Sequence, residues 1–404
     1  MKACGIVVEY NPFHNGHLYH LQQAKEQSKS DCIIAVMSGS FLQRGEPAII
    51  DKFHRAKAAL FAGADLVIEL PYAYAVQSSD LFAKGALFSL HALHVDSICF
   101  GSESGQINYF IDGVKRLQKN KSLYRNTIRA FLDEGFAFPE ASYKGYEAIG
   151  LSDMDMIQPN NILGFSYVRT IFEYNLPLKP LTIKRIQSGF HEERILDSIA
   201  SATSIRKELI THGLIDKVTN AMPDESFHQL QQYKEKSSIL HTWEHYFPFL
   251  HYQVMTMSKK ELANIHGVDE GLEHRIKKTA QDAISFQDWI ERVKTRRYTQ
   301  TRLQRLFVHI LTNTTKQTIA KITSMTHAPY IRLLGMSKTG QAFLNSKKKD
   351  LTIPIITNLN KSNHALLALD EKVTNIYYTV LPSNKRNQLR QQEFQLPIRI
   401  GVED

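Results

Sequence analysis

The chain has 404 residues, of which 43% are hydrophobic and 22% are charged, and its formal net charge is +9. These values are typical of a soluble globular protein that is long enough for two or three domains. No apolar run approaches the roughly 18 residues that a membrane-spanning helix needs, so we expect no association with a membrane.

The N-terminal segment and the cysteines favour a cytoplasmic protein. The N-terminus leads directly into a strand pattern that contains Glu9, which is not the pattern of a signal peptide. The three cysteines, Cys4, Cys32 and Cys99, are far apart in the sequence, and each lies in a strand-like run. We expect them to be reduced and buried. A zinc site is not expected because the chain has no CxxC pair.

The positive charge is concentrated near the C-terminus. Residues 291–404 contain 19 Lys and Arg against 7 Asp and Glu, a net charge of +12. Residues 1–200 carry −1 and residues 201–290 carry −2. Such a concentration is the electrostatic signature of a polyanionic partner, although a solvated basic surface would have the same composition.

The first 200 residues alternate between strand and helix patterns. We predict five strands, at 3–10, 31–37, 66–70, 97–101 and 181–186, and intervening helices at 16–28, 52–62 and 78–92. Buried strands separated by helices indicate a parallel α/β sheet of the Rossmann-like type. Ligands of such sheets lie beyond the carboxyl ends of the strands. The segments 11–17, 38–47 and 101–104 follow strand ends, and we expect them to converge on one site.

The remainder of the chain has a different pattern. Residues 106–175 and 210–320 are predicted to be mostly helical, whereas 325–404 is mixed, with a strand at 352–357 and a helix at 361–380. We therefore predict one α/β domain at 1–210 and a mostly helical, basic region at 211–404, with a further division near 320 left open.

The strongest candidate for a catalytic motif is His14-Asn15-Gly16-His17. Two histidines three residues apart are common on surfaces, but here they follow the first strand and begin a helix. A helix N-terminus holds phosphate against backbone N–H groups, and imidazole donors there stabilise charge on a reacting α-phosphate. Gly16 lets the phosphate approach the backbone. A metal site that includes His20 is not expected, since no carboxylates are nearby.

The second candidate motif is Ser201-Ala202-Thr203-Ser204-Ile205-Arg206, at the start of a predicted helix. Hydroxyl groups in this position usually only cap the helix. Together with the HxGH motif, however, the segment looks like the ISSTxxR signature of HxGH nucleotidyltransferases, in which the arginine clamps phosphate charge. Gly335-Met336-Ser337-Lys338-Thr339 resembles the KMSKS loop of class I aminoacyl-tRNA synthetases, and we interpret that likeness as coincidence because the Ser201 segment already has this role.

Two further segments suggest substrate contacts. The loop 38–47 contains Ser40 and Arg44, which could bind phosphate or a substrate carboxylate; the alternative is an ordinary surface loop. The basic run 292–305 interleaves cations with an aromatic residue, and RNA phosphate binding explains it better than a solvated face does. Its candidate RNA-binding residues are Arg296, Arg297, Arg302 and Arg305.

Five segments, in order along the chain, carry a resemblance to a known family. They are the HxGH motif, SGSFLQRGEPA, GADLVIELP, SATSIR and TRRYTQTRLQR. With them the chain resembles, from end to end, the bacterial tRNA(Met) cytidine acetate ligases of the HxGH nucleotidyltransferase superfamily. One departure is Ala202, which replaces the second serine of the signature, so a hydroxyl at that position cannot matter here.

The resemblance implies a two-step reaction on elongator tRNA(Met). Acetate attacks the α-phosphate of ATP to give acetyl-adenylate and pyrophosphate, and the N4 amine of the wobble cytidine then accepts the acetyl group. Mg²⁺ is expected with ATP, and acetyl-CoA is not required. His14 and His17 would stabilise the adenylation transition state, while Thr203 and Arg206 would hold the pyrophosphate.

The resemblance also implies a set of ATP contacts along the first strand, the following turn, the start of the first helix and four later positions at strand or helix ends. They are Val7, Val8, Glu9, Tyr10, Asn11, Pro12, Phe13, His14, Asn15, Gly16, His17, Leu18, Tyr19, His20, Gly101, Asn160, Arg185 and Ser201.

Two alternative functions belong to other classes. A nucleotidyltransferase that makes a dinucleotide cofactor would be little longer than the first domain, so the basic region at 291–404 argues against it. A non-catalytic RNA-binding protein would not need the histidine pair and Arg206. The sequence leaves the oligomeric state open.

Overall fold

A computed structural model describes residues 1–152, 155–156, 158–185, 200–213 and 216–401. Eight strands form one sheet: β1 (Ala3–Val8), β2 (Cys32–Ser38), β3 (Leu66–Leu70), β4 (Ser97–Ser102), β5 (Lys179–Lys184), β6 (Ile331–Ser337), β7 (Ile355–Ile356) and β8 (Ile398–Ile400). The five strands predicted in the first 200 residues are confirmed to within a few residues. Ile186, the end of the predicted fifth strand, lies outside the described residues.

The sheet order is β5-β4-β1-β2-β3-β6-β7, and β8 also pairs with β6. The pairs β1–β2, β2–β3, β1–β4 and β4–β5 are parallel, which confirms the predicted parallel α/β sheet. The chain moves outward from β1 through β2 to β3 and then returns to place β4 on the other side of β1. The strand order therefore reverses between β1 and β4, and ligands of doubly wound sheets bind at such a point.

Sequence analysis did not predict β8 or β6, and β6 pairs antiparallel with β3. The Gly335–Thr339 segment lies at its end. Ser337 caps the next helix by accepting the N–H of Gly340, and its hydroxyl donates to Asp65 at 2.8 Å. The Ser337 hydroxyl thus joins the strand to the following helix and to Asp65, so the serine of this segment has a structural role.

Twenty α-helices surround the sheet in the described part of the chain. Those up to β5 are α1 (Asn15–Ser28), α2 (Lys52–Phe61), α3 (Tyr72–Ala75), α4 (Ser79–Ala92), α5 (Ile107–Lys119), α6 (Lys121–Asp133), α7 (Phe138–Ala148) and α8 (Pro159–Glu173). The remainder are α9 (Ala202–His212), α10 (Asp216–Asn220), α11 (Asp224–Ser237), α12 (Trp243–Thr256), α13 (Lys259–Asn264), α14 (Leu272–Ala280), α15 (Phe286–Val293), α16 (Gln300–Leu311), α17 (Lys316–Thr323), α18 (Lys338–Lys347), α19 (His364–Tyr378) and α20 (Ser383–Arg390).

The apolar residues form a layer on each face of the sheet and a third core among the later helices. Helices α1 and α2 cover one face, whereas α4, α5, α8 and α18 cover the other. The third core joins α9–α16 and α19 to Phe41, Leu42 and Ile49 of the loop after β2. That loop is therefore anchored in the helical region, and the C-terminal strands extend the N-terminal sheet. The domain boundary at 210 stays a prediction.

Two expectations from composition can be compared with the structure. All three cysteines are buried and have free thiols, as predicted. Among the described helices, none is both long enough and apolar enough to cross a membrane.

A buried cluster of charged side chains joins the sheet to the C-terminal segment. Lys52 Nζ lies 2.7 Å from Glu69 Oε2 and 2.6 Å from Glu393 Oε1. Arg332, on β6, donates to Glu393 at 3.0 Å. The four side chains are 2–7% exposed. Removing one member of a buried ionic group leaves the others without compensation, which destabilises a fold strongly.

We predict that Lys52→Met lowers the free energy of unfolding by about 3–5 kcal/mol, because Glu69 and Glu393 would lose their shared cation. Guanidinium denaturation measures this loss. Lys57→Met is the matched control, since Lys57 lies on the same helix and is only partly buried; its effect should stay within about 0.5 kcal/mol. Equal losses in the two variants would contradict a stabilising role for the cluster.

Candidate active site

The HxGH motif forms the turn between β1 and α1. His14 is the N-cap residue of α1, and its Nδ1 accepts the N–H of Gly16 at 3.0 Å. The backbone N–H of His14 in turn donates to Nδ1 of His17 at 3.3 Å. A neutral imidazole that accepts at Nδ1 carries its proton on Nε2. Both histidines therefore keep an Nε2–H donor that the turn itself does not use.

The two imidazoles are stacked and uncharged. Their ring centroids lie 3.7 Å apart. Burial, followed by the charges of Arg185 and Arg206, lowers the pKa of His14 to about 3. Burial and then His14 hold the pKa of His17 well below its usual value. At neutral pH both side chains are thus neutral donors in cationic surroundings, which is suited to stabilising charge that develops on a phosphate.

The backbone amides at the start of α1 are already bonded within the protein. The N–H of Asn15 donates to the carbonyl of Ala221 at 3.0 Å, and that of Gly16 donates to His14. This differs from the expectation that the helix N-terminus itself would hold phosphate. Side chains around the turn are the more available donors, since an anion would have to displace these bonds to reach the amides.

Arg206 connects the second motif to the first. Its guanidinium donates to the carbonyl of Asn11 at 3.0 Å and to Glu46 Oε2 at 2.9 Å. Ser201 caps α9 by accepting the N–H of Ser204 at 3.1 Å. Thr203 is exposed in the first turn of the same helix. The two motifs thus lie against each other in the structure, and Glu46 is a participant that sequence analysis did not single out.

The loop at 38–47 is fixed to the end of β1. Glu9 Oε1 accepts the Ser38 hydroxyl at 3.0 Å and the N–H of Gln43 at 2.8 Å. The side chain of Asn11 accepts the N–H of Ile49 at 2.7 Å. Within this loop Ser40 is buried and Arg44 is exposed.

Arg55 stabilises the same region through hydrogen bonds to backbone carbonyls. Its guanidinium, which is 1% exposed, donates to the carbonyls of Glu9, Ser38 and Gly39. The sequence contained no signal for this residue, because an arginine in an amphipathic helix ordinarily faces water. Here it links the carboxyl ends of two neighbouring strands and so fixes the position of both site loops.

A third group of polar side chains lies at the ends of β4 and β5. Arg185 donates to Asn160 Oδ1 at 3.0 Å, and Asn160 Nδ2 donates to Glu103 Oε1 at 2.6 Å. A Cβ added at Gly101 would lie 3.1 Å from Arg185 Cγ. Glu103 Oε2 is buried without a hydrogen-bond partner among the described residues. Sequence analysis named the segment 101–104 but not this carboxylate.

The other residues that were predicted to contact ATP differ in how deeply they are buried. Val8, Tyr10, Asn11 and Phe13 are buried, and Tyr10 and Phe13 pack beside the ring of His17. Intermediate exposure is shared by Val7, Glu9, Asn15, Gly16, His17, Leu18, Tyr19 and His20, while Pro12 is buried. His20 Nε2 lies 3.2 Å from the carbonyl of Cys99, which makes it a donor that joins α1 to β4. Contact between these residues and ATP stays a prediction.

The four candidate RNA-binding arginines have different partners within the protein. Arg305 donates to the carbonyl of Gln43 at 3.4 Å, and burial, then Arg302, lowers its pKa to about 10. Arg302 lies over the ring of Tyr298 at 4.8 Å. Arg297 pairs with Glu270, and Arg296 lies over the ring of Phe136 at 4.9 Å.

The middle of α16 packs directly on the loop at 38–47. A Cβ at Gly45 would lie 2.2 Å from the backbone nitrogen of Arg305, so no other residue fits there without displacing the helix. Trp243 also donates to the carbonyl of Gly45 at 2.8 Å. The basic run is therefore placed beside the site loop rather than on a remote domain.

Comparison with known proteins identifies the family. The family model described as HIGH Nucleotidyl Transferase matches residues 1–393. The chain is similar to the tRNA(Met) cytidine acetate ligase of Oceanobacillus iheyensis, with 53% identity over 99% of this chain and 100% of that protein. The protein of the same name from Bacillus subtilis is 44% identical over 100% of this chain and 99% of its own length.

Solved structures agree with this result. The apo crystal structure of Thermotoga maritima TmcAL is 32% identical, with a TM-score of 0.90 over 99% of this chain and 100% of that one. Thermotoga maritima TmcAL bound with alpha-thio ATP gives a TM-score of 0.89 at the same identity and coverage. Both the predicted α/β nucleotidyltransferase fold and the predicted resemblance are confirmed. The chain belongs to the HIGH nucleotidyltransferase family and, within it, to the tRNA(Met) cytidine acetate ligases.

Proposed function

We propose that the protein uses ATP to activate acetate and transfers the acetyl group to N4 of the wobble cytidine of elongator tRNA(Met). The observation that carries this proposal is the bond from Arg206 to Asn11, which places the second motif directly against the HxGH turn. The relatives named tRNA(Met) cytidine acetate ligase support the choice of substrate.

The reaction has two steps. A carboxylate oxygen of acetate attacks the α-phosphorus of ATP, the bond to the bridging oxygen breaks, and pyrophosphate leaves. The cytidine amine then attacks the acetyl carbon of the mixed anhydride, AMP leaves, and the nitrogen loses a proton. Water must be kept from the anhydride between these steps, since it would hydrolyse the activated acetyl group.

The phosphate end of the site would act through side-chain donors. The Nε2–H groups of His14 and His17 would stabilise negative charge on the reacting α-phosphate. Arg206, aided by Thr203, would hold the departing pyrophosphate. A triphosphate must compete with Glu46 for the guanidinium, and its larger charge favours that exchange.

The nucleoside part of ATP would lie against the cluster of polar side chains at the ends of β4 and β5. The unpartnered oxygen of Glu103 is suited to accept a hydrogen bond from a ribose hydroxyl. An acidic residue has this role in sheets that bind dinucleotides. Asn160 and Arg185 would contact the same part of ATP. Mg²⁺ would bind together with ATP, coordinated mainly by the phosphates, because this ion usually has few protein ligands.

Three parts of the proposal remain: the residues that bind acetate, the residues that bind tRNA, and the location of the protein. Ser40 and Arg44 stay the candidates for acetate or phosphate, and Arg44 lies close enough to Arg185 to influence its pKa. Arg296, Arg297, Arg302 and Arg305 stay the candidates for contacts with tRNA phosphates. A cytoplasmic location is part of the proposal, because tRNA and ATP are available there.

We predict that His17→Ala lowers the rate of acetate-dependent ATP–pyrophosphate exchange by about 10²–10³-fold, since one electrostatic donor to the transition state is lost. The control His274→Ala removes an exposed histidine on α14 and should exchange at the wild-type rate. Unchanged exchange in His17→Ala, with the protein folded, would remove His17 from the mechanism.

We also predict that Arg296→Gln with Arg302→Gln weakens tRNA binding and reduces the slope of log K against log salt by about two, because two phosphate contacts are lost. Adenylate formation should persist. The control pair, Arg292→Gln with Lys294→Gln, removes equal charge from cations that Asp288 and Glu291 already neutralise. If both pairs change the slope equally, net charge rather than specific contact explains binding.

A further inference from the structure

A basic surface outside the C-terminal region lies on the insertion between β4 and β5. Helix α6 has no buried residue, so packing constrains its exposed positions little. Lys121, Arg125 and Arg129 follow one another at intervals of four residues and are all exposed. This spacing places them on one side of the helix, about 6 Å apart along its axis.

The preceding helix, α5, carries further exposed cations. An open hollow of about 510 Å³ is lined by Lys115, Arg116 and Lys119 of α5, with Asn120 and Ile149. Arg116 donates to the carbonyl of Gly150 and so is partly used within the protein. We name the five other cations, Lys115, Lys119, Lys121, Arg125 and Arg129, the insertion basic face.

The insertion basic face is not neutralised by the protein. In the described ranges, no carboxylate forms an ion pair with any of its five members. Nearby Lys144, by contrast, pairs with Glu147 at 2.8 Å. Unpaired cations four residues apart on a helix repel one another slightly, and an anionic partner would relieve this repulsion.

The packing of α6 does not require these cations. The helix contacts α7 through Tyr124, whose hydroxyl lies 2.9 Å from that of Ser142. A Cβ at Gly145 would lie 2.9 Å from the Tyr124 ring, which shows how closely the two helices approach. Tyr124 and Ile128 therefore form the inner side of α6, whereas the basic residues occupy positions beside it.

The position of the insertion connects this face to the active site. Helix α5 begins directly after the segment that contains Glu103 and Gly105, at the nucleotide end of the site. At the other end, the turn after α6 presents Phe136 to the guanidinium of Arg296 at 4.9 Å. The insertion thus extends from the edge of the active site to the basic run of the C-terminal region.

We propose that the insertion basic face is a second RNA-binding surface, which contacts the phosphate backbone of tRNA outside the nucleotide that is modified. This inference rests on the proposed function for the identity of the anion. Its continuity with both the active site and the C-terminal arginines favours an RNA long enough to contact both. Long cationic side chains that contact phosphates and not bases would increase the affinity for tRNA without adding sequence specificity.

The test compares two triple variants of the full chain. Lys121→Gln, Arg125→Gln and Arg129→Gln together should weaken tRNA binding at least about tenfold and reduce the salt slope by two to three. The KM for tRNA should rise, while ATP–pyrophosphate exchange without tRNA stays at the wild-type rate. The control triple, Lys259→Gln, Lys260→Gln and Lys278→Gln, removes the same charge from exposed lysines on α13 and α14 and should bind tRNA normally.

Wild-type affinity in the first triple variant, or an equal loss in the control triple, would overturn the inference. So would normal tRNA binding combined with lost binding to anionic lipid vesicles, which would assign the face to a membrane surface. Failure of the proposed function is a separate result: the wild-type protein would then acetylate no tRNA when supplied with ATP and acetate. Far-UV circular dichroism of both variants confirms that each is folded.

Discussion

The bonds of one guanidinium group bring the active site together. Arg206 donates to the backbone of Asn11 and to the carboxylate of Glu46, so it joins the HxGH turn, the loop after β2 and the start of α9. These segments are far apart in the sequence and belong to different elements. A partly buried arginine with two anchored acceptors holds a fixed position, which reduces the reorganisation required when an anion replaces one acceptor.

The second constraint is the neutrality of the histidine pair. Because the pKa of His14 is held near 3 by burial and by neighbouring arginines, the site has positive charge without charged imidazoles. The arginines provide long-range attraction for a triphosphate, and the Nε2–H groups provide directed donors close to the reacting phosphorus. Attraction and transition-state stabilisation are thus assigned to different side chains, which explains why the HxGH motif occurs together with distant arginines.

Much of this arrangement could be predicted from the sequence, because local patterns determine it. The first five strands are short, apolar runs that end at turn residues, and the carboxyl ends of parallel strands necessarily share one edge of a sheet. The segments 11–17, 38–47 and 101–104 were found in this way. The SATSIR segment was recognised by its likeness to a known signature, and its approach to the HxGH turn followed from that likeness.

The missed features depend on contacts between distant residues. Strand β6 pairs with β3 from the far end of the chain, and no local pattern shows that partner. Arg55 and Lys52 lie in a helix whose charges suggest exposure, yet both are buried. Arg55 bonds to carbonyls at the ends of β1 and β2, and Lys52 pairs with Glu69 and Glu393. Glu46 and Glu103 have roles only through their partners, Arg206 and Asn160. The cations on α6 were overlooked because the first 200 residues have almost no net charge, which hid a local excess.

The most direct test of the central claim is a crystal structure of this protein with a non-hydrolysable ATP analogue. The account predicts that the α-phosphate lies within hydrogen-bond distance of the His17 imidazole while the terminal phosphates contact the guanidinium of Arg206. It would be contradicted if the triphosphate contacted neither side chain, or if Arg206 kept both of its present bonds with the analogue bound elsewhere.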